Sequence, residues 1–166
     1  MGPAQAAGPF AFQLATMTEM DTDVARLRHA YSALGRGDES AALGMLAEDC
    51  EWRESAELPD AHALRGRDDV ARFLREFLES WERFDQSVED VLVHGDRIGL
   101  TIHLTAVGRA SGVELDTRYA HVWTMRDGLG ARVDAYRDPG AVREAVFSES
   151  SAPETPSVSD ATQNAT

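Results

Sequence analysis

Two short runs of this chain set chemistry-bearing side chains beside aromatic rings at a spacing of two. In the run Cys50-Glu51-Trp52-Arg53-Glu54, the Trp52 indole and the Glu54 carboxylate share one face of an extended strand, because successive side chains alternate. In the run 117–138, Tyr119, His121, Trp123 and Met125 take one face, and Ala120, Val122 and Thr124 take the other. If the first face is interior, Glu54 is desolvated and moves toward the range of a general base working near neutral pH. The plain alternative is a strand-end glutamate at a rim, paired with Arg53, Arg65 or Arg67. His121 could exchange a proton near pH 7 or hydrogen-bond a carbonyl oxygen, or it could be a core histidine bonded to a neighbouring strand or to Tyr119. His103 falls on an adjacent strand and could face His121. Together with Glu54, two histidines would resemble a metal set. The chain has no H-x-x-x-H or H-E-x-x-H spacing, however, and no metal is expected. Tyr31, Trp52, Tyr119 and Trp123 could line a pocket for a flat apolar ligand, and each could equally be ordinary core. His62 reads as a gate or as a solvated loop residue, and Cys50, with no activating base nearby, as a small buried hydrophobe. No phosphate-binding loop, dinucleotide fingerprint or Ser-His-Asp order is present, so no cofactor is expected.

The elements that must position these groups follow from periodicity. Val24, Leu27, Tyr31 and Leu34 form one stripe of a helix over residues 21–36, capped by Asp21 or Thr22 and ended by Gly35 and Gly37. Asp38 caps a short second helix with Ala42, Leu43 and Leu46 inward. The pattern then switches to period two through Trp52, and residues 55–67 read as a loop broken by Pro59 and Gly66. Val70, Phe73, Leu74, Phe77, Leu78 and Trp81 predict a helix over residues 68–81. Four strands follow, at residues 86–94, 97–109, 113–126 and 131–138. Asp127-Gly128 is a strong hairpin signal between the last two. Pro139 suits the first position of a final helix over residues 139–147. The order α-α-β-α-β-β-β-β-α is an α+β pattern: a twisted antiparallel sheet with three helices on one face, forming a cone with an open mouth.

At 166 residues and 43% hydrophobic composition, the chain suits one domain with modest extras. Residues 1–18 read as a flexible leader, residues 19–147 as the folded domain and residues 148–166 as a disordered tail. A net charge of −13 argues against nucleic acid or anionic membrane as partners, since both need a basic face. One cysteine allows no internal disulfide and fits a reducing cytoplasm. No apolar run approaches the ~20 residues of a membrane span, and the N-terminus makes a poor signal peptide.

Several segments in order resemble a known family: V-x6-Y-x-A-L-x2-G-D from Val24, L-A-E-D-C-E-W from Leu46, H-A-L-R-G-R-D-D-V-x2-F from His62, H-V-W-x3-D-G from His121 and Y-R-D-P from Tyr136. They are similar to the SnoaL-like branch of the nuclear transport factor two-like superfamily. The resemblance implies a cone-shaped α+β barrel, a pocket for a small hydrophobic molecule and a homodimer. Relatives include ketosteroid isomerases, polyketide cyclases, epoxide hydrolases and dehydratases, so the fold alone does not choose a chemistry. Carried over by position, the isomerase general base matches Glu54, while the tyrosine and aspartic acid of its oxyanion hole match Ala30 and Ala120. The cyclase histidine matches His121. The cyclase acid/base aspartate falls at Ala135, with Asp134 one residue away, and a slip of one reverses strand facing.

These readings converge on a cofactor-independent enzyme acting on a small hydrophobic, carbonyl- or epoxide-bearing molecule. Glu54 would move a proton, His121 would polarise or protonate an oxygen, and Asp134 is a further candidate. Tyr31, Trp52, His103, Tyr119 and Trp123 are the candidate binding residues. The rival is a module without turnover that binds a ligand or assembles as a dimer.

Overall fold

The computed structural model describes residues 9–55 and 63–148, with only the backbone described for residues 9–16. Helices α1 (Pro9–Gly35) and α2 (Ser40–Leu43) lead into strand β1 (Leu46–Arg53). A three-residue strand β2 (Ala63–Arg65), helix α3 (Arg67–Glu79), strands β3 (Trp81–His94), β4 (Arg97–Gly108), β5 (Glu114–Arg126) and β6 (Leu129–Tyr136), and helix α4 (Ala141–Phe147) follow. This is the expected α+β architecture. The six strands form one curved sheet in the order β2-β1-β6-β5-β4-β3, and the sheet is not closed. No helix among the described residues is long and apolar enough to cross a membrane.

Alternation along the strands builds two apolar layers. The inner face carries Ile98, Leu100, Ile102, Trp123 and Val133, and it packs against Leu27, Ala30, Tyr31 and Leu34 of α1 and Val70 and Leu74 of α3. The outer face carries Ala120 and Val122, covered by Val142 and Val146 of α4. Helix α4 comes this close because Gly99 lies beneath it; a Cβ there would stand 2.5 Å from a methyl of Val146 and 2.7 Å from one of Val142. The β5–β6 hairpin turns at Asp127 and Gly128, both with positive φ (53° and 75°), as a tight primed turn requires. The Arg26 guanidinium donates to the Gly128 carbonyl at 3.0 Å, tying α1 to this turn.

The structure departs from the sequence-based expectations in several places. Helix α1 begins at Pro9, not near residue 21, so part of the expected flexible leader is helical. Between Pro9 and Gly35 lie five Ala, three Leu and two Met and no Gly or Pro, so nothing in the sequence breaks the helix. Trp81 opens β3 and does not close α3. The ladder claims it: Trp81 pairs with Gly108, and Arg109 donates side-chain bonds to the carbonyls of Glu79 and Trp81. The loop expected over residues 55–67 contains β2, whose Leu64 pairs with Trp52; three residues are too few to show a period. The sheet is also not wholly antiparallel, because β1 and β6 run parallel. No hairpin joins those two strands, so no turn imposes their direction. Residues 1–8 of the leader, His62 and Pro59 of the loop, and residues 149–166 of the tail lie outside the described residues.

Candidate functional site

The curved inner face and helices α1 to α3 leave a cavity of about 280 Å³. Its deep wall is apolar, with Leu34, Leu46, Phe73, Leu74, Phe77 and Leu104, and a small set of polar groups converges on it. Six of the eight candidate residues line it: Tyr31 from α1, Trp52 from β1, Glu54 just beyond β1, and Tyr119, His121 and Trp123 from β5. The period-two pattern of β5 accounts for three of them at once. Tyr119, His121 and Trp123 turn inward while Ala120 and Val122 turn to α4.

Two candidates are elsewhere. Asp134 lies on the outer face, paired across the ladder with Val122, and its carboxylate is bound by Arg132 at 2.8 Å. The residue that β6 turns into the cavity at this height is Ala135, opposite His121. His103 is also outward. Its neighbours Ile102 and Leu104 occupy the inner face, and its ring pairs with Asp116 at 2.7 Å and lies 3.7 Å from Glu89. It therefore cannot face His121, and the set of two histidines with Glu54 does not assemble.

At the base of the cavity three buried polar groups are linked. The Trp123 indole N–H donates to the Tyr31 hydroxyl oxygen at 3.0 Å, and that hydroxyl lies 2.5 Å from Nδ1 of His121. Burial holds the Tyr31 phenol well above its ordinary pKa; repulsion from a Tyr119 phenolate would act in the same direction and the Trp123 bond acts against it. The phenol therefore keeps its proton, and Nδ1 is the acceptor available to it. Burial pushes His121 the other way, down to about 3, so the imidazole is neutral at physiological pH. With Nδ1 accepting, the ring proton sits on Nε2, which makes no hydrogen bond among the described residues. Trp52 and Tyr119 flank this ring edge-on, each with its centroid 4.9 Å away.

Nearer the mouth, the Trp52 indole N–H donates to Glu54 Oε1 at 2.7 Å. Two of the three arginines considered as partners for Glu54 are engaged elsewhere: Arg53 binds Glu51, and Arg67 donates twice to the Leu46 carbonyl. Burial first, and then the Glu54 charge, raise the Tyr119 phenol above its usual range. The Tyr119 hydroxyl donates to Gln86 Oε1 at 2.7 Å, and Gln86 Nε2 donates to the Tyr31 carbonyl at 3.1 Å. Gln86, Ser55 and Arg137 are lining residues that sequence reasoning did not single out. Gln86 did leave a signal, as a polar residue at an inward position of a strand between Phe84 and Val88. Ser55 and Arg137 sit just past strand ends, where period two says nothing.

The model of the SnoaL-like domain family matches residues 27–133. No curated protein sequence matches significantly. Among solved structures, an NTF2-like protein of unknown function from Burkholderia pseudomallei K96243 superposes with a TM-score of 0.63 at 19% identity, covering 76% of this chain and 98% of that one. A candidate SnoaL-like polyketide cyclase from Jannaschia sp. CCS1 gives 0.62 at 20% identity, over 86% and 97%. TerC, co-crystallised with polyporic acid, gives 0.61 at 19% identity, over 76% and 98%. Relatives of this fold thus include candidate polyketide cyclases, and a candidate hydroxylase is also among them. The matched span holds Leu27, Tyr31 and Leu34 of the first helix stripe, the strand bearing Trp52 and the β5 ring face, which build most of the cavity; the lining residues Ala135, Tyr136 and Arg137 lie just beyond it. The chain belongs to the SnoaL-like domain family.

Proposed function

We propose that this protein is a cofactor-independent enzyme that moves a proton on a small hydrophobic molecule held in the cavity. One observation carries the reading. A carboxylate, Glu54, and a neutral imidazole, His121, line one apolar cavity, with the Trp52 ring bonded to the first and edge-on to the second. A carboxylate is a competent base, and an imidazole N–H is a competent donor to oxygen. In the step these groups support, Glu54 takes a proton from a carbon beside a carbonyl. The C–H pair becomes the new C=C bond, and the carbonyl pair moves onto oxygen, where His121 donates a hydrogen bond. Return of the proton from Glu54 to another carbon is isomerisation. Attack of the enolate on a second carbonyl of the same molecule, whose π pair moves onto its oxygen and takes the proton from Glu54, is cyclisation. Expulsion of a β-hydroxyl, with the Glu54 proton completing water, is dehydration. Candidate cyclases on this fold, and TerC with polyporic acid, fit a small organic ligand in such a cavity. At about 280 Å³ the cavity lies just below the ~300–1,000 Å³ usual for ligand sites, which suits a compact molecule.

A second reading, a ligand-binding or assembly module without turnover, draws on Ala30 and Ala120. Ala30 lines the cavity without a polar group, and Ala120 faces α4. Solvent-deuterium exchange into cyclic enones and 1,3-diketones, followed by NMR, separates the two. The wild-type chain should catalyse exchange beside the carbonyl, and Glu54→Gln should slow it by about 100-fold or more. Equal exchange in Glu54→Gln removes the carboxylate from the mechanism; binding without exchange favours the module.

A further inference from the structure

The cavity holds a three-membered chain that the proton-transfer reading does not itself require. Trp123 Nε1–H has one acceptor, the Tyr31 oxygen at 3.0 Å. With that oxygen occupied from one side, the Tyr31 hydroxyl proton is aimed at His121 Nδ1, 2.5 Å away. An indole nitrogen is only ever a donor, so the direction of the chain is set at its start and cannot reverse. No other hydrogen bond reaches Nδ1 among the described residues: Trp52 and Tyr119 offer ring edges to His121, the Tyr119 hydroxyl donates to Gln86, and Glu54 accepts from Trp52 through Oε1.

We propose that Trp123 and Tyr31 are positioning residues that lock His121 in its Nε2–H tautomer, so that the cavity presents one fixed, uncharged hydrogen-bond donor. Resting on the proton-transfer reading, this narrows the ligand class to molecules with an acceptor oxygen, such as a ketone, at the end that reaches His121. It also removes Tyr31 as a hydrogen-bond donor to a ligand, since its one O–H is used inside the protein. The donor is preorganised: the ring does not need to change tautomer or orientation as charge develops on the substrate oxygen. The groups facing His121 are Tyr31 from α1, Trp52 and Glu54 from β1 and its end, Tyr119 and Trp123 from β5, and Gln86 from β3 through the two tyrosines. Glu54 and, just past the end of β6, Arg137 are the charged groups that line the same cavity.

The test is NMR of the full chain with 15N-labelled histidine, without ligand, between pH 5 and 8. The His121 signals are assigned by their loss in His121→Gln. The expected spectrum has His121 neutral, with its proton on Nε2 and an Nδ1 resonance displaced by an accepted hydrogen bond. In Tyr31→Phe that Nδ1 resonance should move to the position of a free acceptor nitrogen, or a population protonated at Nδ1 should appear. Incorporation of 3-fluorotyrosine, which strengthens the phenol as a donor at almost no change in volume, should displace Nδ1 further. It serves also if Tyr31→Phe fails to fold. A wild-type His121 protonated at Nδ1, or an Nδ1 resonance that ignores both changes, overturns the proposal. Because no ligand or turnover enters, this outcome is independent of whether Glu54 proves to be a base.

Discussion

His121 is the residue at which burial, hydrogen bonding and candidate chemistry meet. Its unfolded-state pKa is about 6.5, whereas burial lowers the folded value to about 3. Between those two values the unfolded chain binds a proton that the folded chain refuses. Stability therefore falls as pH drops from about 6.5 toward 3 and is unaffected by this group above that window. At the bottom of the window the loss is on the order of 4 kcal/mol. Urea unfolding at several pH values should show a shallower decline between pH 6.5 and 4 for His121→Gln than for the wild-type chain. Parallel declines would mean that the imidazole is not held neutral by the fold. The other polar residues of the cavity are explained by the same need. Three of the cavity's donors have an acceptor, from Trp123 to Tyr31, from Trp52 to Glu54 and from Tyr119 to Gln86, which leaves the His121 Nε2–H for a ligand.

At the scale of elements, the two faces of β4 and β5 have separate duties. The inner face carries the cavity wall; the outer face seats α4 on Gly99, Ala120 and Val122. Gly99→Ala should therefore overpack α4 without touching the cavity. The added methyl meets Val146 and Val142 at under 3 Å, and insertion of this kind costs about 1–3 kcal/mol. The expected result is a lower urea midpoint with the His121 resonances unmoved. An unchanged midpoint would show that α4 yields freely. The elements also differ in how legible they were. Long strands such as β5, and α3 up to Glu79, announced themselves by period. The three residues of β2 could not, and Trp81 fitted the helical stripe until pairing with β4 claimed it.

At the scale of the whole molecule, the acidic chain carries a net charge of −13 on a domain with one open sheet. The family resemblance leads us to propose a homodimer. Light scattering coupled to size exclusion should give about twice the 18.1 kDa chain mass, and a single-chain mass would count against it. The experiment belongs in at least 0.15 M salt, where repulsion between two acidic chains is screened beyond about 8 Å.

Local rules written along the chain were enough for the α+β class, the helix stripe of α1, the hairpin at Asp127-Gly128 and the inward set Tyr119, His121 and Trp123. Period and turn chemistry act over a few residues and need no partner to be read. Alternation with Ile102 and Leu104 turns His103 outward, and alternation with Val133 and Ala135 turns Asp134 outward, against the expectation that either could serve the cavity. Only the tertiary structure decided what faces what. The parallel pairing of β1 with β6, the contact of Tyr31 with His121 across ninety positions of sequence, the Gln86 link and the charge state of the imidazole all depend on elements distant in sequence. A strand pattern tells which side a residue takes, but the hydrogen bond it makes and the water it loses are set by whichever elements pack against that side.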